Sequence, residues 1–403
     1  MRLLTRNFLR DKFREYYLYA SLDLPPGFNS REWGFLLFDD SGMHRHKSYL
    51  SRGEIIDYIR GIIPAHVYHS AAYYQRPAAP TMKDKEWQGA DLIFDLDADH
   101  LRKAPKSYPE MLKLVKKETL KLIDFLFEDF GFTGKNISIV FSGGRGYHIH
   151  IRDPTILKLG SDERREIVDY LTASGLDIDS LFSYKLVGGD AGVKKAKVRL
   201  GPRDEAGGWA GRLNSKIVSL AKEIRERPKD EAIRILGSVE GIGPFYAENF
   251  YFYVKDEHNF DQIKQGNLDG LKMGHKIWPN LIDFFIKKES LDLPQVSILA
   301  DRDEPDQPVT GDVRRLIRCA TSLHGGSGFR VTPLDLESLH DFDPLWDAVV
   351  FGDNPIPLEI TKPFSTEIKG ESYKLQEGRT ELPAYAAIFL MARGVAELDR
   401  TKN

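Results

Sequence analysis

The stretch 88–97, QGADLIFDLD, constrains the fold more than any other part of this 403-residue chain. Alternation along an extended strand puts Leu92, Phe94 and Leu96 on one face and Asp91, Asp95 and Asp97 on the other. Such a strand belongs in a sheet, with its apolar side against a core. Asp95 and Asp97 are two residues apart, so their Cβ atoms point the same way, roughly 6–7 Å from each other by the strand rise. That separation suits hard divalent cations, which take carboxylate oxygens together with substrate phosphates. Taken alone, an Asp-x-Asp pair also fits a solvated strand face or a helix N-cap. The apolar setting speaks for a metal, because unpaired charge at the end of a buried strand is costly.

A second segment is FSGGRGYHIHIR, residues 141–152. Gly143, Gly144 and Gly146 permit a tight turn and the close approach of a ligand to backbone N–H groups. Ser142 and Arg145 can donate to phosphate oxygens. On the strand that follows, His148, His150 and Arg152 share one face, and Tyr147, Ile149 and Ile151 the other. A strand projecting two histidines and an arginine beside a glycine turn fits an anion. An ordinary hairpin with a polar face remains the alternative. The His-x-His pair also has the ligand type for zinc, but no cysteine cluster accompanies it.

A third segment, VTGDVRRLIRCATSLHGGSGFRV (309–331), carries Asp312 after a turn. Arg314, Arg315 and Arg318 follow with helical spacing, and His324 precedes a second glycine turn. The local pattern fits a salt-bridged surface helix as well as an active-site acid. Asp312 lies 312 − 97 = 215 residues beyond Asp97, so spacing alone does not bring them together.

At this length the chain exceeds one typical core, so two or three domains are expected. The balance of 41% hydrophobic and 29% charged residues is that of a soluble globular protein. No apolar run is long enough to span a bilayer. The N-terminus reads as an amphipathic helix rather than a signal peptide, and a cytoplasmic location is expected. The single cysteine, Cys319, excludes an intrachain disulfide and a Cys-rich zinc site. A formal net charge of −3 gives no global attraction to nucleic acid; any such role must rest on local basic stretches.

Periodicity predicts a helix over 51–63, a strand over 66–74, a helix over 107–130 with Met111, Leu112, Leu114, Val115, Leu120, Ile123 and Leu126 on an apolar stripe, and strands at 137–141 and 147–152. Residues 161–290 are mostly helix-like, with a GGDAG loop (188–192) and a basic run of Lys194, Lys195, Lys197, Arg199 and Arg203. From 295 the pattern returns to strands and turns. The expected class is mixed α/β: a core of 1–160 and 291–403, with a central sheet flanked by helices, and a helical insertion of 161–290.

DLIFDLDADH, SGGRGYH and VTGDVRRLIR…SLHGGSG, in this order, resemble the archaeal-type small, catalytic subunit of the archaeo-eukaryotic DNA primases. REWGF (31–35) and VYHSAAYY (67–74) resemble further segments of that family, and the likeness spans about 30 to 335. It implies a primase-type catalytic core in which Asp95, Asp97 and Asp312 form a catalytic, metal-binding triad for Mg²⁺ or Mn²⁺. Ser142, Arg145, His148 and His324 match nucleotide-binding positions, and Glu32 and Arg45 match supporting ones. His150 lies outside the matched positions. The implied reaction is nucleotidyl transfer: a 3′-hydroxyl attacks the α-phosphate of a nucleoside triphosphate and pyrophosphate leaves, with two divalent ions at the carboxylates. The implied product is a short primer, of RNA or also of DNA, on a single-stranded DNA template. The implied partner is the primase large subunit, in a heterodimer.

One departure concerns zinc. Members of the family commonly carry a Cys/His knuckle after the first aspartates, whereas the segment here is HLRKAPKSYPEML (100–112), so no zinc is expected. Lys113, Lys116, Lys117 and the 194–203 run are candidates for sequence-independent template contacts, with solvated surface as the alternative. GSVEGIGPF (237–245) faintly resembles a helix-hairpin-helix turn but fits an ordinary interhelical turn better. A primase-like repair polymerase is the nearest rival reading. A glycosyltransferase and a scaffold without catalysis are more distant ones.

Overall fold

The structure, a computed structural model, describes residues 1–98, 105, 107–187, 196–201, 203, 206–268, 270, 271, 273–291 and 315–399, with backbone only for 184–187 and 196–199. Asp312, Arg314, His100, Lys194 and Lys195 lie outside the described residues, as does the GGDAG loop, and the side chains of Lys197 and Arg199 do too.

Two compact units emerge. The first comprises Met1–Leu120, Phe132–Val168 and Leu293–Asn403; the second comprises Lys121–Gly131 and Asp169–Asp292. The first unit opens with α1 (Leu3–Tyr19), β1 (Trp33–Leu36), β2 (Met43–Lys47) and α2 (Arg52–Ile62). Thr5, Leu9, Phe13 and Tyr17 recur every fourth residue and form the buried stripe of α1. α2 starts at a capping box in which Ser51 and Glu54 satisfy each other's backbone N–H groups. Phe13 and Tyr17 of α1 and Ile55 and Ile59 of α2 pack with Trp33, Phe35 and Val67 in one core.

Next come β3 (His66–Ser70), β4 (Ala72–Tyr74), α3 (Met82–Lys85), β5 (Trp87–Ala90) and β6 (Leu92–Asp97). The single strand expected over 66–74 is broken at Ala71: β3 pairs with β1, and β4 with β5. α4 (Tyr108–Glu128) starts in the first unit and ends in the second. β7 (Ile137–Phe141), β8 (Gly146–Ile151) and α5 (Ser161–Leu171) follow.

The second unit holds a hairpin, β9 (Ser183–Val187) and β10 (Ala196–Leu200), and the helices α6 (Gly208–Glu226), α7 (Lys229–Gly237), α8 (Pro244–Lys255), α9 (Glu257–Lys264) and α10 (Gly274–Glu289). The GSVEGIGPF segment is the turn between α7 and α8, with Gly241 at φ +82° and Pro244 at the first helical position.

The chain returns to the first unit with β11 (Leu316–Arg318), β12 (Thr332–Leu334), α11 (Leu336–Asp341), α12 (Pro344–Asp347), β13 (Pro355–Ile360), β14 (Phe364–Ile368), β15 (Glu371–Leu375), β16 (Gly378–Pro383), α13 (Ala384–Ala392) and β17 (Ala396–Leu398). The helical spacing read at Arg314, Arg315 and Arg318 does not produce a helix in the described part. Arg318 ends a strand, because Leu316–Arg318 pairs with Ser70–Tyr68 and the Arg315 carbonyl accepts the Ala71 N–H. An edge offering free backbone partners outweighs local periodicity.

The expected mixed α/β class holds, with the strands of the first unit shared among several sheets. Two four-stranded sheets matter for the site, ordered β11-β3-β1-β2 and β12-β7-β8-β6. They meet where Ala71 and Ile317 pack on Ile93.

Candidate active site

β6 and β8 run antiparallel, and their register places Ile93 opposite His150, Asp95 opposite His148 and Asp97 opposite Gly146. Directly opposed residues share a face, so the acids and histidines read from two separate segments form one polar ladder. Leu92, Phe94 and Leu96 fill the opposite, fully buried face.

Asp95 is nearly enclosed and Asp97 more open, with side-chain exposures of 11% and 26%. The Arg315 Nη2 donates to Asp95 Oδ2 at 2.8 Å. His148 Nε2 lies 3.5 Å from Asp95 Oδ1. Burial pushes the His148 imidazole down to about 4, against the pull of Asp95, and Arg318 and Arg315 push the same way. The ring at the carboxylate is therefore neutral at physiological pH. On the outer side, Arg145 Nη2 stands 3.6 Å from Asp97 Oδ1.

The glycine turn is organised from within. Ser142 is buried, and its hydroxyl oxygen accepts the N–H groups of Gly144 and Gly146, each at 3.3 Å. Gly146 has no room for a side chain, since a Cβ there would lie 1.9 Å from the Leu96 carbonyl oxygen. The second glycine turn locks onto the first: Ser327 Oγ donates to the Gly143 carbonyl at 2.5 Å. The His324 ring covers Gly144, with Nε2 3.1 Å from where a Cβ would stand. His66 packs edge-on against His324, ring centres 4.8 Å apart. Burial first, then Arg318, His66, Arg393 and Arg145, drives His324 far below the ordinary histidine range.

Asp91, read on the same strand face as Asp95 and Asp97, does different work. It is fully buried and accepts from Arg31 Nη2 at 2.7 Å, Tyr73 Oη at 2.7 Å and Arg152 Nε at 3.2 Å. Glu32 and Arg45 are brought together, Arg45 Nε donating to Glu32 Oε1 at 3.1 Å, and a buried Lys85 stands 3.3 Å from Glu32 Oε2. Burial would raise the Glu32 carboxyl, but Arg45, Lys85 and the His46 N–H hold it below its ordinary value. Of the lysines read as template contacts, Lys116 is tied to the carbonyls of His340 and Phe342 at 2.6 and 3.0 Å.

The residues fit a divalent ion in kind: Asp95 and Asp97 present hard carboxylate oxygens from one strand face. Asp312 falls outside the described residues.

Residues 94–336 match the family described as DNA primase small subunit. Proteins named DNA primase small subunit PriS align over nearly the whole chain. That of Methanothrix thermoacetophila is 54% identical over 98% of this chain and 99% of its own. That of Methanococcoides burtonii is 48% identical over the same shares. That of Halobacterium salinarum is 41% identical over 98% of each.

The chain belongs to the DNA primase small-subunit family.

It is thus a primase-type nucleotidyltransferase that makes primers, and the repair-polymerase reading is not favoured. The matched span contains both glycine turns, Asp95, Asp97, His148 and His324. Sequence reasoning missed His66, Lys85, Tyr108 and Arg393, which reach the site or its supports only through tertiary packing. Tyr108 opens α4, and its hydroxyl donates to the Gly144 carbonyl. Among the described residues no helix is long and apolar enough to cross a membrane.

Proposed function

We propose that this chain carries out template-directed primer synthesis with Asp95, Asp97 and Asp312 as the catalytic, metal-holding carboxylates, and that the turn at 142–146 receives the triphosphate. The observation that carries this reading is the register of β6 on β8, which sets Asp95 and Asp97 beside a glycine turn and a neutral histidine on one face. Bound Mg²⁺ or Mn²⁺ would activate the attacking 3′-hydroxyl and neutralise charge on the triphosphate. Arg145, presented by the turn that Ser142 braces from within, binds and orients the triphosphate. His148 and His324, both uncharged, supply ring nitrogens without repelling nearby arginines. Glu32 and Arg45 brace the site, with Lys85 as the buried counter-charge of Glu32. The catalytic core lies within 1–160 and 291–403, apart from Lys121–Gly131, which belongs to the second unit, and the bulk of 161–290 is an insertion.

Single-stranded DNA is the template and nucleoside triphosphates are the substrates. The relatives' designation as a small subunit supports a heterodimer with a primase large subunit. The chain acts in the cytoplasm, and with Cys319 as its single cysteine it holds no Cys-based structural zinc. The test mixes the purified chain with single-stranded DNA, labelled ATP or dATP and Mg²⁺ or Mn²⁺, with no primer, beside Asp95→Ala. Template-dependent oligomers from the wild type alone support the reading. Extension of a supplied primer without any initiation, even with a large subunit added, would favour a repair polymerase.

A further inference from the structure

Arg393 follows α13, far in sequence from both glycine turns and beyond the span matched to the family. Its guanidinium lies over the rings of Tyr108, at 4.7 Å, and Phe389, at 5.0 Å. Those two rings are themselves 5.6 Å apart. The Tyr108 hydroxyl donates to the Gly144 carbonyl, so the arginine sits one side chain away from the first glycine turn. Phe389 also stacks on Phe329, whose carbonyl accepts the His324 N–H. The same aromatic cluster therefore connects Arg393 to both turns.

Packing does not explain the polar end of this side chain. Nε and Nη2 of Arg393 are sealed from solvent and have no hydrogen-bond partner among the described residues. The side chain is half-buried and also hydrogen-bonds Tyr108, but donors sealed from water without a partner are costly. Arg145, Arg318 and Arg393 all act on His324, lowering its proton affinity in concert. Arg318 also has a sealed Nε without a partner among the described residues. Arg393 over Tyr108 and Phe389, and Arg318 over Tyr68, thus bring cationic side chains from two distant segments towards the glycine turns, which favours an anion there.

We propose that Arg393 is a further anion-binding residue of the nucleotide site and takes the terminal phosphate of the incoming nucleoside triphosphate. This rests on the reading that the 142–146 turn holds the triphosphate. Arg393 forms its half of the grip from the C-terminal helix, and the rings of Tyr108 and Phe389 fix its planar fork. A fork held in advance loses little side-chain freedom on binding.

The test compares binding of ATP, AMP and inorganic tripolyphosphate to the full chain and to Arg393→Met and Arg393→Lys, with thermal melting alongside. Losing a hydrogen bond to a charged group weakens binding about tenfold or more. Arg393→Met should therefore bind ATP and tripolyphosphate at least about tenfold less tightly, with AMP unchanged. Arg393→Lys keeps charge but not the fork, and should lose part of the preference for ATP over AMP. Wild-type ATP affinity in a folded Arg393→Met overturns the proposal. Should that variant fail to fold, an unchanged ATP preference in Arg393→Lys overturns it instead. If the wild type itself does not prefer ATP over AMP, the assignment of the turn fails, and this proposal fails with it.

Discussion

Asp95 and His148 are direct cross-strand partners, and the imidazole that meets the carboxylate at 3.5 Å is held neutral by burial. Among the described residues Asp95 thus keeps one strong cationic contact, Arg315 at 2.8 Å, which is itself partly open to solvent. Asp95→Asn preserves shape and removes the charge that would hold a divalent ion, while Arg315 can turn to water. Primer synthesis is expected to fall at least about a hundredfold, the scale of losing one key electrostatic group. Melting should stay within a few degrees of wild type. Primer assays and thermal melts on the same preparation check this, and a variant that still synthesises normally would remove Asp95 from the reaction.

Asp91 should behave in the reverse way. It lies on the same strand face but is sealed from water and surrounded by Arg31, Arg152 and Tyr73. Arg31 is also fully buried, and it donates to the carbonyls of Ser70 and Ala71, so it binds the region linking β3 to β4 onto β6. Asp91→Ala leaves that guanidinium without its counter-charge, at a cost of about 3–5 kcal/mol. Urea unfolding measures the cost. A stability within about 1 kcal/mol of wild type would contradict the buried-pair argument.

The contrast between these two aspartates marks how far the sequence was legible. Alternation along β6 placed Asp91, Asp95 and Asp97 on one face, and it holds because the opposite face is uninterrupted Leu, Phe and Leu. It could not separate Asp91 from the others, since that depends on Arg31, which is 60 residues away. The glycine turn and His148 were legible because a hairpin keeps sequence neighbours together. Arg315 was misread as helical: its conformation is set by β3, more than two hundred residues earlier. The break at Ala71 was hidden for a similar reason, because successive parts of one strand-like segment, HVYHSAAYY, pair with two different sheets. His66, Lys85 and Arg393 carry no local pattern, and only packing brings them to the site.

Acid should weaken the fold before carboxylates begin to titrate. Burial, reinforced by Arg318, pushes His66 down to about 3, and His148 falls to about 4. In the unfolded chain both protonate near 6.5. Between these values the unfolded state binds more protons than the folded state, so stability rises with pH and is lost as pH falls below 6.5. At pH 5.5 each such histidine costs about 1.4 kcal/mol relative to high pH, or about 3 kcal/mol for the pair. The His148 contribution stops growing near 4. Urea midpoints at pH 7.5, 6.5 and 5.5 test the slope, and His66→Asn should reduce it. Equal midpoints at pH 7.5 and 5.5 would show that these rings already protonate alike in both states.

The lock between the two glycine turns gives the last prediction. Ser327 is buried; its hydroxyl donates to the Gly143 carbonyl at 2.5 Å, accepts the Phe329 N–H at 3.1 Å, and lies 3.2 Å from His324 Nδ1. Ser327→Ala removes one oxygen and leaves a buried carbonyl and a buried N–H unsatisfied, which costs about 1–3 kcal/mol. Because the freed groups position His324 over Gly144, the loss should also appear as a higher KM for ATP, with a smaller change in kcat. Gly143→Ala should be worse on both counts, since φ there is +76° and the new Cβ would stand 2.7 Å from that of His324. Melting temperatures and ATP titrations of the two variants decide it. A stability loss in Ser327→Ala with an unchanged KM would make the lock a feature of folding alone and detach the second turn from nucleotide binding.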